Sequence, residues 1–188
     1  MTDPYVAPNG VLRNRLGITD ADLLAQAEAD IAHAELIRLS ECPLDGAYDL
    51  RHLQAFHVAI FGVSYPWAGE LRVVEISKHT PFCPSINLMP FSDEVFGRLA
   101  SGGYLRGLGR MEFVDAPADL YGDLNALHPF REGNGRTQRA FVAQLASDAG
   151  YELSWAGLDP AENELASIKS YLGDNEPLSR MLDALLIA

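Results

Sequence analysis

Long hydrophobic runs are missing from this chain: none approaches the roughly 18 apolar residues that a membrane-spanning helix needs. The opening residues, Met1 to Gly10, lack a charged-then-apolar secretory pattern, so an intracellular, cytoplasmic protein with no membrane partner is expected. Cysteine is scarce. Cys42 and Cys83 fit neither a metal nor a redox spacing and are too few for a disulfide framework, which points to reduced thiols in a cytosol. Basic charge is also short: 14 Lys and Arg stand against 26 Asp and Glu, a net charge of -12. A general nucleic-acid binder carries a basic stripe to neutralise phosphates, so direct nucleic-acid binding is excluded and any phosphate contact has to be local. Internal repeats and low-complexity tracts are absent. What is present is 188 residues with 48% hydrophobic content, enough for one core, so residues 1–188 are expected to form a single domain.

The most informative stretch runs from His128 to Arg139, His-Pro-Phe-Arg-Glu-Gly-Asn-Gly-Arg-Thr-Gln-Arg. It reads as a nucleotide phosphate site. Pro129 disfavours a helical conformation for the residue before it, so a helix arriving through Leu124 and Leu127 should stop there and leave His128 extended. Gly133 and Gly135 permit a tight turn and a close backbone approach, and Arg136 to Ala149 has helical periodicity. Free N–H groups at such a helix start bind anions. Arg136 and Arg139, three apart, share a face there. No Gly-Lys-Ser/Thr follows, and Gly133-x-Gly135-x-x-Gln138 lacks a third glycine, so neither the P-loop nor the dinucleotide fingerprint is met.

These twelve residues match at every specified position the signature His-x-Phe-x-Asp/Glu-Gly-Asn-Gly-Arg-x-x-Arg, and the chain resembles the Fic family. The resemblance extends to Leu12–Ile18, to Trp67-Ala68-Gly69-Glu70-Leu71-Arg72 and to Tyr104–Leu108, and it is closest in kind to the single-domain bacterial Fic proteins of toxin modules. It implies an all-α fold with a small β-hairpin flap, and transfer of AMP from ATP, with Mg2+, to a hydroxyl side chain (Tyr, Ser or Thr) of a target protein. Delivery by a specialised secretion system would leave no mark in the sequence and stays open.

Each need of AMP transfer has a candidate. His128 is the one side chain of the motif that titrates near neutrality, and it is the expected general base. A helix-end capping histidine is the bland alternative. Glu132, a lone carboxylate beside a phosphate site, suits Mg2+; its alternative is an i,i+4 pair with Arg136. Gly133, Asn134 and Gly135 are expected to cradle the anion, with the Asn134 amide on a phosphate or a metal-bound water. The resemblance assigns Arg136 and Arg139 to the β and γ phosphates. It also implies that the flap, about Leu71 to Ile86, adds a target segment as an extra strand, with Lys78, His79 and Thr80 at its tip influencing target choice. Phe130, Trp67, Tyr65 and Phe61 read as core, and His33, His52 and His57 as structural or surface residues.

Organisation along the chain follows from periodicity and caps. Residues 1–18 form an irregular arm, and Thr19 is expected to cap a helix over 19–39. The catalytic core then spans 49–188: helices over about 49–61, 91–105 and 115–127 (the last with Pro117 in its first turn), the flap at about 71–86, the motif helix, and helices over about 161–172 and 177–187. Family members are commonly silenced by a helix bearing Ser/Thr-x-x-x-Glu-Gly/Asn. The nearest stretch here, Ser170 to Asn175, has Asp174 in place of Glu and reads better as a helix stop, so a separate antitoxin protein is expected. Three other readings compete: the kinase branch, whose lysine stands where Gly135 does; transfer of another diphosphate-linked group; and a non-catalytic module that binds nucleotide or a partner.

Overall fold

Residues 3–78 and 80–187 are described in the computed structural model, and seven α-helices among them carry an all-α fold with one two-stranded sheet. His79, assigned to the flap tip, lies outside the described residues. The first helix, α1 (Ala21–Glu41), is capped by Asp20 rather than Thr19: its carboxylate accepts from the N–H groups of Asp22 and Leu23 at 3.0 and 2.9 Å. An acidic cap satisfies orphan donors and places negative charge at the positive end of the helix dipole, which a threonine cannot do. Asp49 caps α2 (Leu50–Phe61) in the same way, and its Leu53, Phe56, His57 and Ile60 are buried along one stripe. Next comes α3 (Leu88–Ser101), three residues ahead of its expected start.

The helix before the motif, α4 (Arg110–Leu127), begins five residues earlier than the expected Asp115, so Pro117 sits inside it. Proline there removes the bond to the Phe113 carbonyl. Burial of Phe113, Ala118, Leu120, Tyr121 and Leu124 along one side offsets that loss. The motif helix α5 (Asn134–Asp148) packs against α2 and α4, and its Phe141 meets Tyr48, Phe56 and Phe96 edge-on, with ring centroids 5.5 to 6.0 Å apart. Asp159 caps α6 (Pro160–Tyr171). The last helix, α7 (Glu176–Leu185), ends early because Leu186 and Ile187 form β2, antiparallel to β1 (Glu152–Leu153).

Two segments outside the helices bear on the site. The N-terminal arm is irregular, as expected, but anchored: Tyr5 and Val11 are buried, Trp67 donates to the Arg13 carbonyl at 3.2 Å, and Asp3 pairs with Arg131 of the motif loop at 2.8 Å. The flap reverses where expected but is a loop with one antiparallel bridge, Ser77 to Pro81, rather than two paired strands. Its return arm enters a single 3-10 turn at Ser85–Asn87. Pro81 and Pro84 have no N–H for a ladder, and the carbonyls of Val74 and Cys83 are occupied by the Arg72 guanidinium.

Leu124 is fully buried where α4 meets α5 and α7. Leu124→Ala should lower unfolding free energy by about 2–5 kcal/mol, read from urea denaturation.

Candidate active site

Helix α4 stops at Leu127, as Pro129 requires, but His128 is left-handed (φ 42, ψ 61) rather than extended. A left-handed cap lets the His128 N–H close back on the Leu124 carbonyl at 3.0 Å, and the side chain adds a second closure, Nδ1 to the Asn125 carbonyl at 3.2 Å. These bonds hold a conformation that proline disfavours in the residue before it. They also settle the tautomer. A carbonyl only accepts, so Nδ1 carries the proton and Nε2 keeps the lone pair. Burial pushes the imidazole pKa down to about 3, against the Asn125 bond and with help from the charges of Lys78 and Arg72, so the ring is neutral at physiological pH.

Gly133 (φ 79) caps α5 and, as a glycine, brings no side chain of its own to the helix start. A Cβ at Gly133 would lie 2.4 Å from the Phe61 ring, so only glycine lets the loop pass; at Gly135 it would lie 3.2 Å from Nη1 of Arg139. Asn134 departs from expectation. Its amide donates to the Phe130 carbonyl at 2.8 Å and accepts from the Phe130 N–H at 2.9 Å, so it closes the loop instead of aiming at a ligand. Phe130 is buried, stacked on His57 with ring centroids 3.9 Å apart.

Glu132 is exposed, with one oxygen accepting from the Gly133 N–H at 3.0 Å. The ion pair that Arg136 makes is not with Glu132. Its guanidinium grips both oxygens of Glu28, a buried carboxylate on α1, and lies 4.7 Å over the Phe61 ring. Arg139 differs: among the described residues no carboxylate pairs with it, and its charge acts on the nearby Tyr121 hydroxyl. His128, Glu132, Gly133, Gly135, Arg136 and Arg139 line one cleft of about 500 Å³. An adjoining cavity of about 300 Å³ brings Lys78 and Thr80 of the flap against His128, Arg139 and α6. Phe82 covers the His128 ring, with centroids 3.7 Å apart and planes 11° apart.

Four residues of this arrangement escape sequence reasoning: Glu28, His57, Arg72 and Phe82. Their partners lie tens of residues away, and only Arg72 carries a signal, as the last residue of Trp67–Arg72. His57 is informative. The Gly69 N–H donates to Nδ1 at 2.8 Å, so Nε2 bears the proton and donates to the Glu132 carbonyl at 2.9 Å. Burial lowers its pKa to about 4.

A model of the Fic/DOC family matches residues 47–146, a segment that runs from α2 through most of the motif helix. The chain belongs to the Fic/DOC family. Among curated Fic relatives, protein adenylyltransferase VbhT of Bartonella schoenbuchensis is 39% identical over 96% of this chain, which spans 38% of VbhT's length. The "Probable protein adenylyltransferase Fic" of Escherichia coli K12 is 36% identical over 92% of this chain and 86% of its own. In three dimensions the chain is similar to the N-terminal Fic domain of a VirB-translocated Bep effector of Bartonella quintana with bound ADP. Their TM-score is 0.90 at 26% identity, covering 97% of this chain and 94% of that one. BepC of Bartonella tribocorum with bound AMPPNP shares the fold, with a TM-score of 0.89 at 23% identity over 97% and 96%.

The Fic signature thus sits at the junction of α4 and α5. No cluster of three or more His, Cys, Asp or Glu that could cage a metal occurs among the described residues. A single exposed carboxylate at a glycine-lined helix start is nonetheless the donor set that suits Mg2+, which keeps waters and is completed by phosphate oxygens. No helix of the described residues is long and apolar enough to cross a membrane.

Both imidazoles, His57 buried and His128 partly buried, bind fewer protons in the folded state than in the unfolded one. Stability should therefore rise with pH between their folded values, about 3 and 4, and the ordinary 6.5, and be lost as pH falls through that window. The melting temperature should drop on acidification from pH 6.5 to 4.5, and a His57→Asn, His128→Asn double variant should show a flatter profile over the same range.

Proposed function

We propose that this chain is a protein adenylyltransferase that transfers AMP from ATP to a Tyr, Ser or Thr hydroxyl of a target protein, as a bacterial cytoplasmic toxin silenced by a separate antitoxin. The observation that carries the reading is the neutral His128, its proton fixed on Nδ1, in one cleft with a glycine-capped helix start and Arg139, which no carboxylate pairs with among the described residues. Nε2 accepts the proton of the attacking hydroxyl. That oxygen bonds to the α phosphorus as the bond to the bridging oxygen of pyrophosphate breaks. The N–H groups at the start of α5 offer donors to the phosphates, and Arg136 and Arg139 take the β and γ groups. Arg136 comes pre-oriented by Glu28; Arg139 is ready to grip. Glu132 would hold Mg2+, which when bound neutralises phosphate charge. An imidazole held near pKa 3 is a weak base; a triphosphate beside Lys78 and Arg139 adds the negative charge that raises it.

Lys78 and Thr80 flank the mouth of the site and are assigned, with His79, to positioning the target. The antitoxin reading is supported by the near-match at Ser170–Asn175. Gly173 (φ 92) follows the end of the helix, and the Asp174 carboxylate accepts from the Glu176 N–H at the start of α7 at 3.2 Å. It is therefore occupied away from Arg139.

Purified protein incubated with bacterial lysate should move label to a protein from α-labelled ATP and not from γ-labelled ATP. Label from the γ position would instead mean a kinase. His128→Ala should lower transfer by about 10^2 to 10^4 while ATP affinity is kept. Retained transfer would remove His128 as the base, and ATP binding without any transfer by the parent protein would leave a binding module. Glu132→Ala should abolish most of the Mg2+ dependence of transfer, measured by titrating the metal; an unchanged dependence would free Glu132 from that role.

A further inference from the structure

Arg72 is the largest buried cation among the described residues, its side chain wholly shielded from water. Carboxylates do not explain it: its ion pair is with Glu75 at 3.7 Å, and that side chain is 65% exposed. Instead its donors fan out to three carbonyls in three segments. Nε donates to His128 at 2.8 Å, Nη1 to Val74 on the outgoing arm of the flap at 2.9 Å, and Nη2 to Cys83 on the return arm. Its own N–H donates to Pro129 at 2.9 Å, and the Cys83 N–H donates to Ala126 in the last turn of α4 at 2.8 Å. Filling this space needs only an apolar side chain. Joining three carbonyls needs a rigid fork of several donors, which among side chains is arginine's alone. The site of its attachment is also electrostatically apt, because the carbonyl end of α4 is the negative end of a helix dipole.

We propose that Arg72 is a positioning residue for the transfer reaction, one guanidinium that fixes the 73–83 loop and the His128 backbone relative to each other. Phe82 stacks on the His128 ring and is adjacent to Cys83, one of the three carbonyls held. Lys78 and Thr80, between the two flap carbonyls, reach the same cavity as His128 and Arg139. The seat of the flap and the direction of the imidazole are therefore set by the same side chain. Loosening it displaces whatever the loop presents to the base without touching the phosphate cradle, whose bonds run to α1, α2 and α5. This inference rests on the reading of His128 as the base.

Arg72→Met fills the space without the fork, and Arg72→Lys keeps the charge with a single donor group. In both, the maximal rate of transfer from α-labelled ATP to lysate protein is measured against ATP concentration, with hydrogen exchange followed along the chain. Arg72→Met should lower the maximal rate by about tenfold or more and leave the KM for ATP within about twofold, because the misplacement falls on the acceptor side. Exchange should quicken in 73–83 and 128–131 together, while α2 and α5 stay protected. Arg72→Lys should lie between the methionine variant and the parent, and it carries the test if the methionine variant does not fold. Three results would each overturn the proposal: transfer unchanged, exchange quickened in the loop but not at 128–131, or protection lost evenly through α2 and α5. A wrong assignment of the base would surface differently, as transfer retained by His128→Ala, and the exchange measurement is independent of it.

Discussion

Helix α4 runs into the protein interior and has to end there, so the carbonyls of its last turn need donors that water does not supply. Nearly everything about the site follows from where those donors come from. Leu124 takes the His128 N–H and the amide of Gln138; Asn125 takes the imidazole; Ala126 takes Cys83; His128 and Pro129 take Arg72. Beyond the turn, Phe130 is closed by Asn134 and Glu132 by His57. Four separate parts of the chain, α2, the flap, α4 itself and α5, thus converge on seven residues of backbone. The next helix is capped by a glycine, and Gly133, Asn134, Gly135 and Arg136 at its start line the cleft. Seven carbonyls of this turn and loop have donors, while the first turn of the next helix lines the cleft.

Much of this was legible in the sequence. Periodicity placed α1, α2, α5 and α6 within a few residues, because each has an apolar stripe bounded by a capping carboxylate or glycine. The start of α4 is not legible because Pro117 reads locally as a first-turn residue, whereas burial of Phe113, stacked on Tyr151, holds the helix through it. The pair of strands at Glu152 and Leu186 is two residues long and leaves no alternation to detect. In the site, motif spacing delivered His128, Glu132, the glycines and both arginines to one cleft. It could not show that Arg136 is already paired with Glu28, 108 residues earlier, or that the Asn134 amide faces its own loop. Those are tertiary facts. The left-handed His128 also eluded local reasoning: proline's steric preference was outweighed by two hydrogen bonds to the end of α4.

The electrostatic pattern is similarly layered. A chain with net charge -12 concentrates positive groups where a polyanion would lie, with Lys78, Arg136 and Arg139 around a single exposed carboxylate. Glu28 neutralises Arg136 from the buried side, and Arg72 gives its charge to backbone dipoles. The ligand-free site therefore keeps His128 unprotonated in two ways, by desolvation and by neighbouring cations, and holds the ring in one tautomer through Asn125. Preorganisation of this kind costs folding stability at low pH and supplies a base that needs no proton loss before it can act.

That protonation state is the claim on which the account turns, and imidazole nitrogens report it directly. In 15N-resolved NMR spectra of the ligand-free protein at pH 6, His128 should give the neutral pattern with the proton on Nδ1 and an unprotonated Nε2. An imidazolium at that pH, or a proton on Nε2, would contradict it.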